Sequence, residues 1–205
     1  MNKRVVSLIV VALVLSVAAP SFATTIAINF QDSSVTTPAG YEADEALLYG
    51  DRGNGLSYGW DNWDGIGGRV RGYLPDVRYD TFVHFAPVDL AVGRTWEIGL
   101  DNGTYDLWVV CGDPEYSDTI NSLDIEGVLA LDTDGKDRLD EYMLQVEVLD
   151  GRLTIAPHNL TGDENYVGTN AFNPKIDFVE ITPVPEPATI MLLGLGGLAL
   201  IRKKR

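Results

Sequence analysis

The amino-acid sequence predicts an all-β fold. It reads as a jelly-roll-like antiparallel β-sandwich over residues 24–182, flanked by an N-terminal signal peptide (1–23) and a short C-terminal membrane helix inside the segment 183–205. Three observations predict it. Apolar residues alternate with polar ones in one short segment after another, the period of a half-buried strand. Gly, Asn and Asp dipeptides punctuate those segments as hairpin turns do. Between Thr24 and Thr182 no stretch carries a long helical periodicity, so the core is built from strands.

The elements follow in chain order. "TIAINF" alternates Ile26, Ile28 and Phe30 on one face. The stretch from Tyr49 to Gly72 is glycine-dense, holds two tryptophans and two tyrosines, and shows no period. It reads as a long irregular loop of functional type, its aromatics arguing against disorder. "YDTFVHF" sets Tyr79, Thr81, Val83 and Phe85 against Phe82 and His84, and "TWEIGL" alternates Trp96, Ile98 and Leu100. "DNG" at 101–103 is a hairpin signal, because Asn-Gly readily takes positive φ. "TYDLWVVC" is apolar on both faces and belongs in the middle of a sheet, with Trp108 in the core beside Trp96. "YMLQVEVLDGRLTIAP" reads as the clearest hairpin, with Leu144, Val146 and Val148 leading into an Asp150-Gly151 turn and Leu153 and Ile155 returning. "PKIDFVEI" is the last strand.

The two ends carry addresses. Lys3 and Arg4 precede an apolar run from Val5 to Val17, and Ser21 and Ala23 place small residues where a signal peptidase reads, so the mature chain starts at Thr24. At the other end, Pro185-Glu186-Pro187 precedes an apolar run from Ala188 to Ile201 and the basic cluster Arg202 to Arg205. Those 14 apolar residues span about 21 Å as a helix against a hydrocarbon core of roughly 30 Å, a poor permanent anchor.

Charge narrows the partners. The 205-residue chain has 15 Lys and Arg against 30 Asp and Glu. Six of the basic residues are Lys3, Arg4, Arg202, Lys203, Lys204 and Arg205, so residues 24–187 carry nine basic against all thirty acidic residues, a net charge of −21. That balance makes nucleic acid and anionic lipid poor partners and favours neutral glycans or divalent cations; the alternative is that the excess acid serves solubility alone. The single cysteine, Cys111, cannot form an intrachain disulfide and reads as a small buried hydrophobe.

Candidate chemistry is sparse. "GLSYG" (55–59) matches the G-x-S-x-G pattern of a nucleophile elbow, but it lacks the strand before it and the helix after it that expose the serine. His84 and His158 are the only histidines, too few for a zinc site with one cysteine. In "DTDGKDRLDE", Asp132, Asp134 and Asp137 are oxygen ligands of the type calcium takes, without the spacing of an EF-hand; a solvated acidic turn is the alternative. Calcium in a structural role is the one cofactor this leaves open. On the irregular loop, Tyr58, Trp60 and Trp63 stand with Asn62 among acidic residues. Aromatic faces stack on sugar rings while amides and carboxylates bond their hydroxyls, so these four are candidate glycan contacts. The alternative is that Trp60 and Trp63 fold inward as a core plug.

The tail "VPEPATIMLLGLGGLALIRKKR" resembles the PEP-CTERM sorting signal, through Pro185, Glu186 and Pro187, the short apolar segment and the basic end. That resemblance implies export across the inner membrane of a Gram-negative bacterium and a transient anchor. It also implies processing near the Pro-Glu-Pro motif by an exosortase, a membrane cysteine transpeptidase. The main domain is similar to galactose-binding-like and malectin-like β-sandwiches, through "INF", "YGW", "DNGTYDLWVVCGDP", "LDIEGV" and "KIDFVEI". Together these readings imply an exported, non-enzymatic cell-surface or exopolysaccharide-associated protein with a carbohydrate-binding-like sandwich. The alternatives are a small secreted polysaccharide-active hydrolase, esterase or lyase, and a purely structural matrix protein.

Overall fold

The computed structural model describes residues 24–62, 67–85, 93–158 and 173–185. The strands are β1 (Ile26–Phe30), β2 (Glu42–Asp44), β3 (Gly50–Asp51), β4 (Ser57–Trp60), β5 (Arg69–Val70), β6 (Thr81–His84), β7 (Trp96–Gly99), β8 (Gly103–Gly112), β9 (Leu123–Ile125), β10 (Val128–Ala130), β11 (Leu139–Val148), β12 (Arg152–Pro157) and β13 (Lys175–Pro183). They form two sheets. Sheet A runs β11-β8-β13-β1-β2, with β6 on the first residues of β13 and β5 on β6. Sheet B runs β10-β9-β12-β7-β4-β3. All strand pairs are antiparallel except β1 with β2. Among the described residues no helix is long and apolar enough to cross a membrane.

The core lies between the sheets. Ile28, Leu107, Val109, Val146, Val179 and Ile181 of sheet A meet Trp60, Trp96, Ile98, Leu123, Leu153 and Ile155 of sheet B. The expected alternation is therefore present, and β8 sits inside sheet A as its two-sided apolar pattern requires. The turns behave differently from the expectation. Asn102-Gly103 links β7 of sheet B to β8 of sheet A, and Asp150-Gly151 links β11 of sheet A to β12 of sheet B. Neither makes a hairpin. Each carries the chain from one layer to the other, and the two arches are tied by Asn102 Nδ2 donating to Leu149 O at 2.6 Å and Leu100 N to Gly151 O at 3.1 Å. β11 then pairs with β8 over ten residues, and β12 pairs with β7. A local turn signal reverses the chain whichever layer the next strand joins.

The stretch from Tyr49 to Gly72 is also more regular than expected, since it contributes β3, β4 and β5. In β4, Tyr58 and Trp60 share the inward face with Gly59 between them. Gly59 has φ 135°, and a Cβ there would fall 2.6 Å from Leu47 O, so the close approach of strand and loop needs glycine.

Trp108 departs from the expectation of a core position. It is half-buried on the outer face of sheet A, its indole N–H reaching Glu141 Oε2 at 3.2 Å. There Phe178 packs edge-on against Tyr41, Tyr79 and Trp108 at centroid distances of 5.0–5.9 Å. The Arg78 guanidinium lies over the same four rings, 5.3–5.9 Å from each centroid. Tyr41, Arg78 and Tyr79 thus cover part of this face, which explains why "KIDFVEI" is buried on both sides.

Candidate functional site

Of the four aromatic-loop candidates, Tyr58 and Trp60 point into the core. Trp60 is fully buried and Tyr58 nearly so. Their positions follow from a buried carboxylate, Asp44 at the end of β2. Trp60 Nε1 donates to Asp44 Oδ1 at 2.9 Å and Trp96 Nε1 to Oδ2 at 2.8 Å, while Ala46 N adds a third bond at 2.8 Å. This ties β2 of sheet A to β4 and β7 of sheet B through the core. Burial pushes the Asp44 carboxyl up from its usual range, and the two indole donors work against that rise. On its other side Trp60 carries the buried Arg94 guanidinium, 4.1 Å from its ring centroid. Trp60 is therefore the core plug of the alternative reading, and with Tyr58 it is withdrawn as a sugar-stacking surface. Asn62 is exposed, its carbonyl accepting from Arg94 Nη1 at 3.4 Å. Trp63 lies outside the described residues.

A polar cleft of about 310 Å³ lies elsewhere, at the ends of β6, β8 and β13. Its floor is Asp113, which follows β8 and is 1 % exposed. Arg71 binds it through both oxygens, Nε to Oδ1 at 2.9 Å and Nη2 to Oδ2 at 2.5 Å. The Arg71 guanidinium is held flat between two rings, 5.1 Å from Phe82 and 5.0 Å from Tyr116. Lys175, at the start of β13 and nearly buried, donates to Asp118 Oδ1 at 2.7 Å and lies 3.6 Å from Asp113 Oδ2. His84 Nδ1 and Asn173 Nδ2 are 3.3 Å apart at the far wall. Tyr116, half-exposed, forms an aromatic rim.

A β-bulge shapes this end of the sheet. The register between β13 and β8 shifts between Ile176 and Phe178, leaving Asp177 as the extra residue. Asp177 is fully buried, and neither carboxyl oxygen has a hydrogen-bond partner. Burial first, and then the negative charge of Asp113, pushes its carboxyl well above the usual range, and the charge of Lys175 opposes this only in part. Burial thus favours the protonated form of Asp177. Arg71 and Lys175 face three carboxylates, Asp113, Asp118 and Glu115, the last 3.6 Å from Arg71 Nη1. The cleft offers paired donors and acceptors, the chemistry that hydroxyl groups use.

The acidic stretch forms a second cluster beside the cleft. One oxygen each from Asp132, Asp134 and Asp140 lie within 4.8 Å of one another. Sequence reasoning named Asp132 and Asp134 but put Asp137 where the structure puts Asp140, three residues on and at the start of β11. Asp137 remains a neighbour, with one oxygen buried and unpartnered. Burial, together with the charges of Asp132, Asp137 and Asp134, pushes Asp140 up to about 7, against the Asn121 amide bonded to it at 2.9 Å. Asn121 joins the two sites: its N–H donates to Asp132 Oδ2 at 3.1 Å, and its Oδ1 accepts from Lys175 N at 3.4 Å. All of these are hard oxygen donors, the set that fits calcium.

The elbow-like serine lies far from His158. Ser57 is level with Gly99 and Arg152 across β7, while His158 follows the other end of β12. Six residues at ~3.3 Å each separate the two levels by about 20 Å. Cys111 is fully buried and its thiol is pushed up by burial, so it is inert.

None of the cleft residues was singled out from the sequence. They come from four separated segments and share no motif. The one available signal was the polar pair Lys175 and Asp177 inside an otherwise apolar strand.

Residues 183–205 match the PEP-CTERM protein-sorting motif, of which Pro185 is described and Glu186 and Pro187 lie outside the described residues. The chain thus carries the address of an exported protein sorted by an exosortase. Among solved structures it is similar to protein YxiM of Bacillus subtilis, at 21 % identity and a TM-score of 0.52 over 78 % of this chain and 40 % of that one. It is also similar to the plant receptor-like kinase FER, at 13 % identity and 0.46 over 79 % and 42 %. A family 35 carbohydrate-binding module from Clostridium thermocellum follows, at 16 % identity and 0.34 over 56 % and 85 %. The first likeness shows the fold, and the chain spans about two fifths of that protein's length. No curated protein matches the sequence.

Proposed function

We propose that this is an exported, exosortase-processed surface or exopolysaccharide-associated protein whose sandwich binds a neutral glycan in the cleft around Asp113. The single observation that carries the proposal is that cleft. Asp118 lines the cleft with a partly exposed carboxylate that Lys175 holds at 2.7 Å, and its remaining lone pairs can accept from sugar hydroxyls. The half-exposed Tyr116 ring stands beside them as a stacking face. The glycan reading of the loop aromatics is thereby moved to another part of the molecule. Signal peptidase removes residues 1–23, the domain occupies 24–182, and the apolar run in 183–205 is a transient hold in the inner membrane of a Gram-negative cell.

Calcium is a structural component of this reading. Bound to Asp132, Asp134 and Asp140, it would neutralise their mutual repulsion and, through Asn121, brace the loop that carries Tyr116 and Asp118. The test is retention on a panel of neutral and acidic polysaccharides with and without calcium, for the wild type and for Tyr116→Ala. Retention of the wild type on a neutral polymer, lost in Tyr116→Ala at unchanged thermal stability, supports the proposal. No retention on any polymer leaves a purely structural matrix protein. Turnover of a retained polymer that survives Ser57→Ala would point to a carboxylate-based hydrolase or lyase instead.

A further inference from the structure

The antiparallel pairing of β1 with β13 brings both ends of the domain to one place. Ile26 pairs with Ile181, and the hydroxyls of Thr25 and Thr182 are 2.8 Å apart. β13 itself spans the molecule. It begins at the cleft with Lys175 and ends at Pro183, nine residues or about 27 Å away. The candidate binding sites therefore occupy one end of the sandwich, and both terminal segments leave from the other.

The sorting segment starts with no linker. Val184 N still donates to Thr104 O at 2.8 Å, and the sorting-motif match begins at residue 183, inside β13. Only Pro185, Glu186 and Pro187 separate that bond from the apolar run at Ala188. Four residue steps reach at most about 14 Å. The headgroup layer takes roughly 5–8 Å of that. What remains is less than the ~10 Å width of one helix. A membrane-embedded enzyme that acts near Pro185-Glu186-Pro187 must then touch the folded end of the domain while it works.

We propose that this end of the sandwich is the face that docks on the exosortase. It has the form of an interaction surface. A groove of about 490 Å³ runs between Ile26, Leu56, Leu100, Tyr105 and Pro183, with Pro183 leading directly into the tail. Beside it stands Leu149, 68 % exposed, on the arch that Asn102 pins. Asp101 and Asp150 complete the rim, both exposed. Bare lipid is the weaker partner for this face, because acidic groups on an acidic domain are repelled by an anionic surface. The inference rests on the tail being processed by that enzyme, and adds the surface of the domain that meets it.

The experiment follows conversion of the full-length precursor to its shortened form in exosortase-bearing cells, by pulse-chase and mass spectrometry. The variant is Asp101→Lys with Leu149→Lys. Both side chains are exposed, and thermal unfolding checks that the fold is kept. Conversion is expected to slow by about tenfold, the equivalent of ~1.4 kcal/mol of docking. Met143→Lys, on an exposed mid-strand position of sheet A, is expected to convert at the wild-type rate. A spacer of about eight Gly and Ser residues between Val184 and Pro185 is expected to rescue the double variant, because the domain can then swing clear. Wild-type conversion of the double variant overturns the proposal. So does failure of the spacer to rescue it. Faster conversion of the double variant overturns it in favour of lipid contact. A wild-type precursor that never loses Arg205 would instead refute the sorting reading beneath it.

Discussion

Replacing Asp44 by alanine tests whether the paired tryptophans are structural. The carboxylate accepts three N–H groups inside the core, from Trp60, Trp96 and Ala46. Alanine strands all three where no water reaches. An unsatisfied buried donor costs about 1–3 kcal/mol. Part of the sum is returned, because a desolvated carboxylate is no longer buried. The net loss is about 3–5 kcal/mol, and the melting temperature falls by roughly 10–15 °C for a domain of this size. Asp44→Asn keeps one acceptor oxygen and turns its amide N–H₂ toward the other indole, so it should lose less, about 1–2 kcal/mol. Urea unfolding of the mature domain measures both, with equal m-values required for the comparison. A loss below ~1 kcal/mol for Asp44→Ala would mean that the indoles are not anchored there, and Trp60 would return as a candidate surface contact.

The other predictions concern the cleft end. Burial and the charges of Asp113 and Asp80 raise the Asp177 carboxyl above its usual range in the fold, with Lys175 opposing. An unfolded aspartate releases its proton near pH 4, so the contribution of Asp177 is fully present below that pH and is lost as pH rises toward its raised folded value. Asp177→Asn should melt like the wild type near pH 4 and above it at pH 8; an unchanged pH slope would show that Asp177 is not the buried acid. Calcium at about a hundred times its dissociation constant should stabilise the domain by ~2.7 kcal/mol. Asp134→Asn, at an exposed position, should abolish most of that gain while leaving the calcium-free melting temperature in place. An equal calcium response in the variant would exclude the cluster as the site.

What the sequence displays and what it hides divide along the range of the interaction. Alternation in "TIAINF" and "TWEIGL" is a local consequence of one buried face, so those strands are legible. The Asp150-Gly151 and Asn102-Gly103 turns are legible as reversals too. Whether the returning strand pairs with its predecessor or crosses to the opposite layer is decided by the whole sheet order, which no dipeptide encodes. β4 escaped notice because four residues with a central glycine are too short to show a period. Asp44 escaped because one of the three acids in "YEADEA" looks as solvated as its neighbours until two indoles from another sheet reach it. The cleft is hidden for the same reason, since Arg71 and Asp113 are 42 residues apart and meet only through the fold. The sorting segment is the opposite case. An enzyme reads it as a linear string, so its chemistry is contiguous.

The central claim is that ligand is held at the cleft end, around Tyr116, Asp118 and Lys175, and not at the loop that follows β4. The most direct measurement is a chemical-shift titration of the labelled domain with whichever polysaccharide fragment it retains. The largest shifts are expected on Tyr116, Asp118 and Lys175, and are expected to disappear in Asp118→Ala. Shifts centred on Asn62 and its neighbours, with Tyr116 and Lys175 unmoved, would contradict it.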